Sequence, residues 1–333
     1  MSLFEDRDTL YPVQYPDIYE AYVKVIEQPW SFTQVPLESD VVQWKNNLTE
    51  ADRRLCNLVF RGFTEAEGDV GCYWSNVGSK HFKCPEVQSL AKSCAAQETI
   101  HRFGYGHLVA TLGIDISDPD GSYSAAKKKL EYIEECLDDS RENLALSLAV
   151  FSGAIEGVSL FASFLILLSF SRDSLLLGMK QILSWSVLDE HNHSETGIAL
   201  YKKLLLEEPS LAPNQNQVHK AFKEIVNNEI AFVEEAFDGY YSERITKPQV
   251  IEYIKYRAND RLLALGFAPL YKINIRLVNE VTQWFHQCVK GLSDNDFFVA
   301  SKNGQGYQAI VSQDFSKVDV TKFEPPSWLK NAA

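Results

Sequence analysis

An apolar stretch near the middle of the chain limits its possible folds more than any other feature. Residues 144 to 170 read LALSLAVFSGAIEGVSLFASFLILLSF and carry one ionisable side chain, Glu156, near the centre. The stretch is long enough to cross a bilayer, but a carboxylate at mid-membrane is costly, and serine and glycine recur through it. A helix that is apolar on every side also occurs inside a large helical bundle. The sequence therefore favours a buried core helix, in which Glu156 needs a partner.

Helical periodicity dominates the rest of the chain, and strand-like alternation is scarce. We predict an all-α chain with a single helical domain at 1–292, which includes an N-terminal arm at about 1–30. A polar segment without clear period, 293–333, is predicted to be a flexible tail. The predicted helices cover residues 15–27, 49–80, 86–113, 125–138, 141–171, 174–205, 215–240, 247–265 and 273–291.

Charge and cysteine content exclude several classes of function. The formal net charge is -13 and lysines and arginines do not cluster, which argues against a nucleic-acid-binding protein. The six cysteines form no CxxC pair, and the first residues lack a basic-then-apolar signal. We interpret the cysteines as buried thiols in a reducing compartment. We therefore expect a cytoplasmic protein that binds neither nucleic acid nor membrane.

Two Glu-x-x-His pairs lie on predicted helices. The first is Glu98 with His101 in ETIH, and the second is Glu190 with His193 in EHNH. Residues three apart share one face of a helix. One such pair is common by chance and usually forms only a surface contact. Two pairs on helices with apolar neighbours are more specific, because a buried carboxylate or imidazole needs a partner such as a metal ion.

Two further carboxylates, Glu67 and Glu156, complete a recognisable set. Helical bundles that bind two metal ions use one Glu from each of two helices and a Glu-x-x-His from each of two others. The intervals are 31 residues from Glu67 to Glu98, 58 from Glu98 to Glu156 and 34 from Glu156 to Glu190. Four carboxylates and two neutral imidazoles carry a charge that balances two divalent cations. Oxygen and nitrogen ligands suit iron or manganese better than a structural zinc.

Neighbouring candidates compete for these roles. Glu65 and Asp69 flank Glu67 but point to other faces of the helix, so one of the three can be a ligand, and we favour Glu67. His107 and His191 lie on different faces from the motif residues. The remaining histidines lack ligand-like spacing.

The segments ETIHRFGYGH and LDEHNH, with Glu67 and Glu156 at these intervals, resemble the small, radical-generating subunit of class I ribonucleotide reductase. The similarity runs from about residue 30 to 310 and includes VIEYIKYRANDRLLALG. It implies a ferritin-like helical bundle with additional helices and a dimetal site in its core. In this family the metal centre activates O2 and generates a tyrosyl radical. The radical is passed to the large subunit, which reduces ribonucleotides to deoxyribonucleotides. The resemblance also implies a homodimer.

The resemblance assigns roles to four further side chains. Tyr105, one turn beyond His101, is implied to be oxidised to the stored radical. Asp189 is implied to hold a metal-binding histidine, here His101, and a tryptophan, here Trp30, in a hydrogen-bonded wire. In the tail, Tyr307 is implied to carry the radical towards the large subunit.

The sequence departs from the family pattern in places. Glu67 stands where the family more often has aspartate, and Leu160 stands where a phenylalanine is common. Phe164, by contrast, matches an aromatic residue that encloses the radical. The C-terminal PPSWLKNAA lacks the acidic or aromatic ending that we expect of a docking peptide. We expect two irons, with Mn/Fe or Mn/Mn pairs as alternatives. Other functions that remain open are a ferritin-like ferroxidase or iron store and a ligand-binding dimetal oxidase.

Overall fold

The computed structural model describes the backbone of residues 2–7, 9–116 and 140–302, and the side chains of the same residues except 64–69, 79 and 290–302. Within these ranges every regular element is helical. The α-helices are α1 (Pro16–Ile26), α2 (Glu38–Asn46), α3 (Glu50–Asn76), α4 (Pro85–Leu112), α5 (Leu144–Val150), α6 (Phe161–Leu168), α7 (Leu177–Glu207), α8 (Gln215–Ala236), α9 (Lys247–Leu265) and α10 (Ile275–Lys302).

The apolar stretch forms the centre of the fold. Helical turns run without interruption through the core helix, Arg141–Asp173, which is the one helix in the described part long and apolar enough to cross a membrane. Its most apolar part is fully buried by the surrounding helices. The preference for a buried core helix is therefore confirmed.

The core helix is not α-helical throughout. Between α5 and α6 lies the π segment, Phe151–Ser159, with Glu156 inside it. A π-helical turn is wider than an α-helical turn and is frequent at functional sites. The π segment packs against α7, α8 and α9, while α3 packs along α4. The predicted ligand positions thus come from elements that pack around one core.

The start of α7 is fixed by a side chain from another helix. Asp40 on α2 accepts hydrogen bonds from the backbone N–H groups of Gly178, at 3.1 Å, and Met179, at 2.7 Å. These groups have no partner within their own helix, and a carboxylate there also interacts favourably with the helix dipole. Burial raises the pKa of Asp40, and the two backbone bonds only partly oppose this. Asp40 thereby anchors the helix that carries Asp189, Glu190 and His193.

Several element boundaries differ from the predictions. Helix α2 was not predicted, because nine residues are too few for a clear period and its two buried residues, Asp40 and Trp44, include a charge. Helix α10 continues to Lys302, beyond the predicted end at 291 and into the segment that we predicted to be a tail. The predicted helix at 125–138 and residues 303–333 lie outside the described part of the chain.

Candidate metal centre

Four predicted ligands converge in the interior. Each of Glu98, Glu156, Glu190 and His193 offers one ligand atom, and these atoms all lie within 4.8 Å of one another. Every one of the four side chains is at most 1% exposed. Helix α4, the π segment and α7 each contribute to the group. Their spacing in the sequence puts the Glu and His of each pair on one helical face, and helix packing turns these faces towards each other.

Glu98 lies between the two histidines. One oxygen, Oε2, lies 3.0 Å from His101 Nδ1, and the other, Oε1, lies 2.6 Å from His193 Nδ1. His101 Nδ1 is also 3.1 Å from Glu190 Oε1. The centroids of the two imidazole rings are 6.1 Å apart. A carboxylate whose two oxygens face different imidazoles is placed to bridge two cations.

The electrostatics of the group favour cations. Burial tends to raise the pKa of Glu98, but the adjacent His193 and His101 outweigh burial and lower it. Burial tends to lower the pKa of His193, but Cys94 and Glu98 outweigh it, so that this pKa lies well above its usual value. The lowered pKa of Glu98 and the raised pKa of His193 both show that this carboxylate favours a positive charge beside it.

One carboxylate oxygen of this group indicates that a metal ion fits between the side chains. Glu156 Oε2 is buried and accepts no hydrogen bond from the part of the chain that the structure describes. It lies 3.8 Å from His193 Nδ1, which is too long for a hydrogen bond. A buried carboxylate oxygen in this condition is costly unless a cation satisfies it. The oxygen and nitrogen donor set and this unsatisfied oxygen both fit a dimetal site.

The other oxygen of Glu156 is held by a tryptophan that sequence reasoning missed. Trp74 Nε1 donates a hydrogen bond of 2.6 Å to Glu156 Oε1, and the indole is fully buried. The Trp74 ring also packs edge-on against His193, with ring centroids 6.0 Å apart. The available signal was the spacing of seven residues from Glu67, which is two helical turns on the same face of α3.

The structure brings Trp30, Asp189 and His101 together. Trp30 Nε1 donates to Asp189 Oδ2 at 2.7 Å, and His101 Nε2 lies 3.1 Å from the same oxygen. The Trp30 and His101 rings also stack, at 5.7 Å between centroids. The sequence analysis assigned these three side chains to one hydrogen-bonded wire by resemblance, and they lie within hydrogen-bonding distance of one another.

Tyr105 is fully buried in an aromatic environment. Its ring stacks on Phe63 at 4.7 Å between centroids, and Phe63 in turn packs against Phe164 at 5.0 Å. The Tyr105 ring lies 6.3 Å from that of His101. Phe63 was also missed by sequence reasoning, although it lies one turn before Glu67 on α3.

Two predicted site residues lie outside the described side chains, and two histidines that the sequence did not favour as ligands make other contacts or are exposed. Glu67 is on α3, but its side chain is not among those described, and Tyr307 lies beyond Lys302. His107 packs against Phe32 at 5.4 Å between ring centroids, and His191 is exposed on α7.

Comparisons with known proteins agree with this geometry. The family model described as ribonucleotide reductase, small chain, matches residues 7–279. A protein of Invertebrate iridescent virus 3, named a probable ribonucleoside-diphosphate reductase small subunit, is 31% identical over 320 residues. That alignment covers 90% of this chain and 84% of the relative.

Solved structures show the same fold. The dimanganese(II) NrdF of Streptococcus sanguinis superimposes with a TM-score of 0.72 at 18% identity, covering 86% of this chain and 100% of that one. The homodimeric Rnr4 of Saccharomyces cerevisiae gives a TM-score of 0.70 at 19% identity, covering 81% and 86%. These matches do not favour an iron store or a ligand-binding oxidase. The chain therefore belongs to the ribonucleotide reductase small-chain family, as a small subunit of the class I oxidoreductase.

Proposed function

We propose that the buried carboxylates and histidines bind two metal ions, and that the protein uses O2 to generate and store a radical on Tyr105. The observation that carries this proposal is the convergence of Glu98, Glu156, Glu190 and His193 within 4.8 Å, deep in the protein. When bound, a pair of iron or manganese ions supplies the redox chemistry that reduces O2 and provides an oxidising equivalent.

The protein's own residues bind and orient this centre. Glu98 would hold the ions together with both histidines, since one of its oxygens is directed to each imidazole and each imidazole presents Nδ1 to the site. Trp74 holds Glu156 Oε1, which leaves Oε2 to bind. Asp189 holds His101 through Nε2 and so fixes the orientation of that ring.

Glu67 is the proposed ligand from α3, on the basis of its register. Phe63, four residues earlier, faces Tyr105, and Gly71, four residues later, faces Glu98. A Cβ atom at Gly71 would lie 3.3 Å from the Glu98 Cβ. Residues four apart share a helical face, so the position of Glu67 lies on the face of α3 that packs over the centre.

Tyr105 is suited to store a radical. It loses one electron and its phenolic proton when it is oxidised. Burial and the stacked Phe63 ring exclude water and external reductants, which prolongs the lifetime of the radical. Trp30, Asp189 and His101 provide hydrogen-bonded contacts from the centre to a partly buried indole. We propose that Tyr307 continues this route to a large subunit, where the ribonucleotide is reduced.

The metal is proposed to be iron at both positions, with Mn/Fe or Mn/Mn as alternatives, since oxygen and nitrogen ligands accept either. The protein is proposed to act as a homodimer, as its yeast neighbour is named. A cytoplasmic location is supported by free thiols at Cys56, Cys72, Cys84, Cys94 and Cys288.

Electron paramagnetic resonance tests the proposal. Metal-free protein loaded with Fe²⁺ and exposed to O2 is expected to bind about two ions per chain and to give a tyrosyl radical signal. Tyr105→Phe should keep the metal and lose the signal. The matched control is Tyr73→Phe, which alters another buried tyrosine and should keep both. A protein without a radical, or the same radical in Tyr105→Phe, would refute the role of Tyr105.

A further inference from the structure

The Gln97 side chain contacts His193 directly and is linked to His101 through Asp189. This side chain lies on α4, one residue before Glu98, and is 8% exposed. Its Nε2 lies 3.0 Å from Asp189 Oδ1, and its Oε1 lies 2.8 Å from His193 Nε2. Asp189 also accepts from Trp30 and contacts His101. Gln97 therefore connects His193 to the group formed by Trp30, Asp189 and His101.

The chemistry of the partners fixes the orientation of the Gln97 amide. A carboxylate such as Asp189 can only accept hydrogen bonds, so the amide NH₂ must face Asp189. The amide oxygen must then face His193, and an oxygen can only accept. His193 Nε2 must therefore carry a proton.

The same reasoning applies to the other histidine. His101 Nε2 also faces Asp189, and it must donate there. Both imidazoles are thus held with Nε2–H directed to an outer acceptor. In both rings Nδ1 is the atom that faces the carboxylates.

We propose that Gln97 is a positioning residue that joins both histidines in one hydrogen-bonded network centred on Asp189. In this network Gln97 holds His193 with Nδ1 directed into the metal site. The inference rests on the proposed function, because it concerns how one ligand of that site is oriented. The network also links distant residues of the site: a substitution at Asp189 would alter the orientation of His193 through Gln97.

Mn²⁺ binding to the metal-free full chain tests this role, with the signal of free Mn²⁺ followed by electron paramagnetic resonance. The wild type is expected to bind two ions per chain. Gln97→Met keeps the length of the side chain but removes its hydrogen bonds to Asp189, His193 and the Val25 carbonyl. It should weaken one of the two sites by about 10- to 100-fold. Gln88→Met is the matched control on the same helix, where the amide contacts only the Phe82 carbonyl among the hydrogen bonds described, and should bind as the wild type does.

A second variant separates the two contacts of Gln97. Gln97→Glu keeps an oxygen that can accept from His193 Nε2–H, but its carboxylate cannot donate to Asp189 or to the Val25 carbonyl and places a like charge beside Asp189. It should therefore retain more affinity at the weakened site than Gln97→Met does. Equal losses in the two variants would contradict a role through His193.

The imidazole proton gives a readout that a packing role would not change. In ¹⁵N-histidine-labelled protein loaded with Zn²⁺, the His193 Nε2–H proton should exchange slowly with water in the wild type and faster in Gln97→Met. Unchanged exchange and unchanged Mn²⁺ affinities in Gln97→Met would overturn the inference alone. A wild-type protein that binds no Mn²⁺ would instead overturn the proposed function.

Discussion

At the scale of single residues, the hydrogen bond from Trp74 to Glu156 contributes stability that can be measured by removing it. We predict that Trp74→Phe destabilises the metal-free protein, because Glu156 Oε1 loses its donor while remaining buried. Losing a hydrogen bond to a charged group costs about 1.5 to 3 kcal/mol. Urea unfolding of the metal-free protein measures this cost.

The control for this prediction is Trp44→Phe, which removes a similar volume from another buried tryptophan, on α2. Trp74→Phe should cost more than Trp44→Phe by about the value of one hydrogen bond. Equal costs would mean that the indole N–H contributes nothing to the stability of the metal-free centre.

Some residues of the site could be predicted from the sequence, and others could not. Glu98 with His101 and Glu190 with His193 could be predicted because their spacing is local and the helix period places each pair on one face. Trp74, Gln97 and Phe63 could not, because their roles depend on partners 42 to 96 residues away that only helix packing brings near. The local pattern predicts which side chains share a helical face, and the residues that surround them follow from tertiary structure.

At the scale of helices, α7 packs closely against the π segment because residue 197 is a glycine, which has no side chain. Gly197 lies one turn after His193, and Ser152 lies one turn before Glu156. A Cβ atom at Gly197 would meet Ser152 Oγ at 2.0 Å and Ser152 Cβ at 2.6 Å. Gly197→Ala must therefore push apart the two elements that carry the proposed ligands Glu156 and His193.

We predict that Gly197→Ala lowers the free energy of unfolding by about 1 to 3 kcal/mol through overpacking, as measured in urea. Ser152→Gly in the same chain should relieve the clash. A double-mutant cycle is therefore expected to give a favourable coupling of about 0.5 to 3 kcal/mol. Additive effects of the two substitutions would show that the two helices do not meet at this point.

The elements themselves were predictable to different degrees. The core helix was evident because its apolar run is long and Glu156 excludes a simple membrane span. Its π segment was not, since the wider turn leaves no signature in residue spacing. Helix α2 was missed because it is short and is held by contacts to α7, such as Asp40 with Gly178 and Met179, that no local pattern encodes.

At the scale of the whole molecule, Asp52 ties distant parts of the chain together. It caps the start of α3 with Thr49, accepts from Tyr240 at 2.8 Å and pairs with Arg244 in the connection between α8 and α9. Burial tends to raise the pKa of Asp52, but the hydrogen bonds from Thr49 and Tyr240 and the charge of Arg244 outweigh burial and lower it.

This lowered pKa predicts a pH dependence. The stability that ionised Asp52 contributes is present above its ordinary pKa of 3.8 and is lost as the pH falls through the lower value in the folded protein. Asp52→Asn should therefore cost about 1 to 3 kcal/mol at pH 7 and less at pH 3. Urea unfolding at both pH values and one protein concentration measures the difference. A gap between wild type and variant that widens at pH 3 would contradict this assignment.

We propose that two metal ions bind to one group of six side chains: Glu67, Glu98, His101, Glu156, Glu190 and His193. Anomalous X-ray diffraction from crystals grown with Fe²⁺, recorded on both sides of the iron absorption edge, tests it most directly. We predict two iron peaks per chain within the group, in contact with Glu98. No iron peak at this position, or iron bound only at the protein surface, would contradict it.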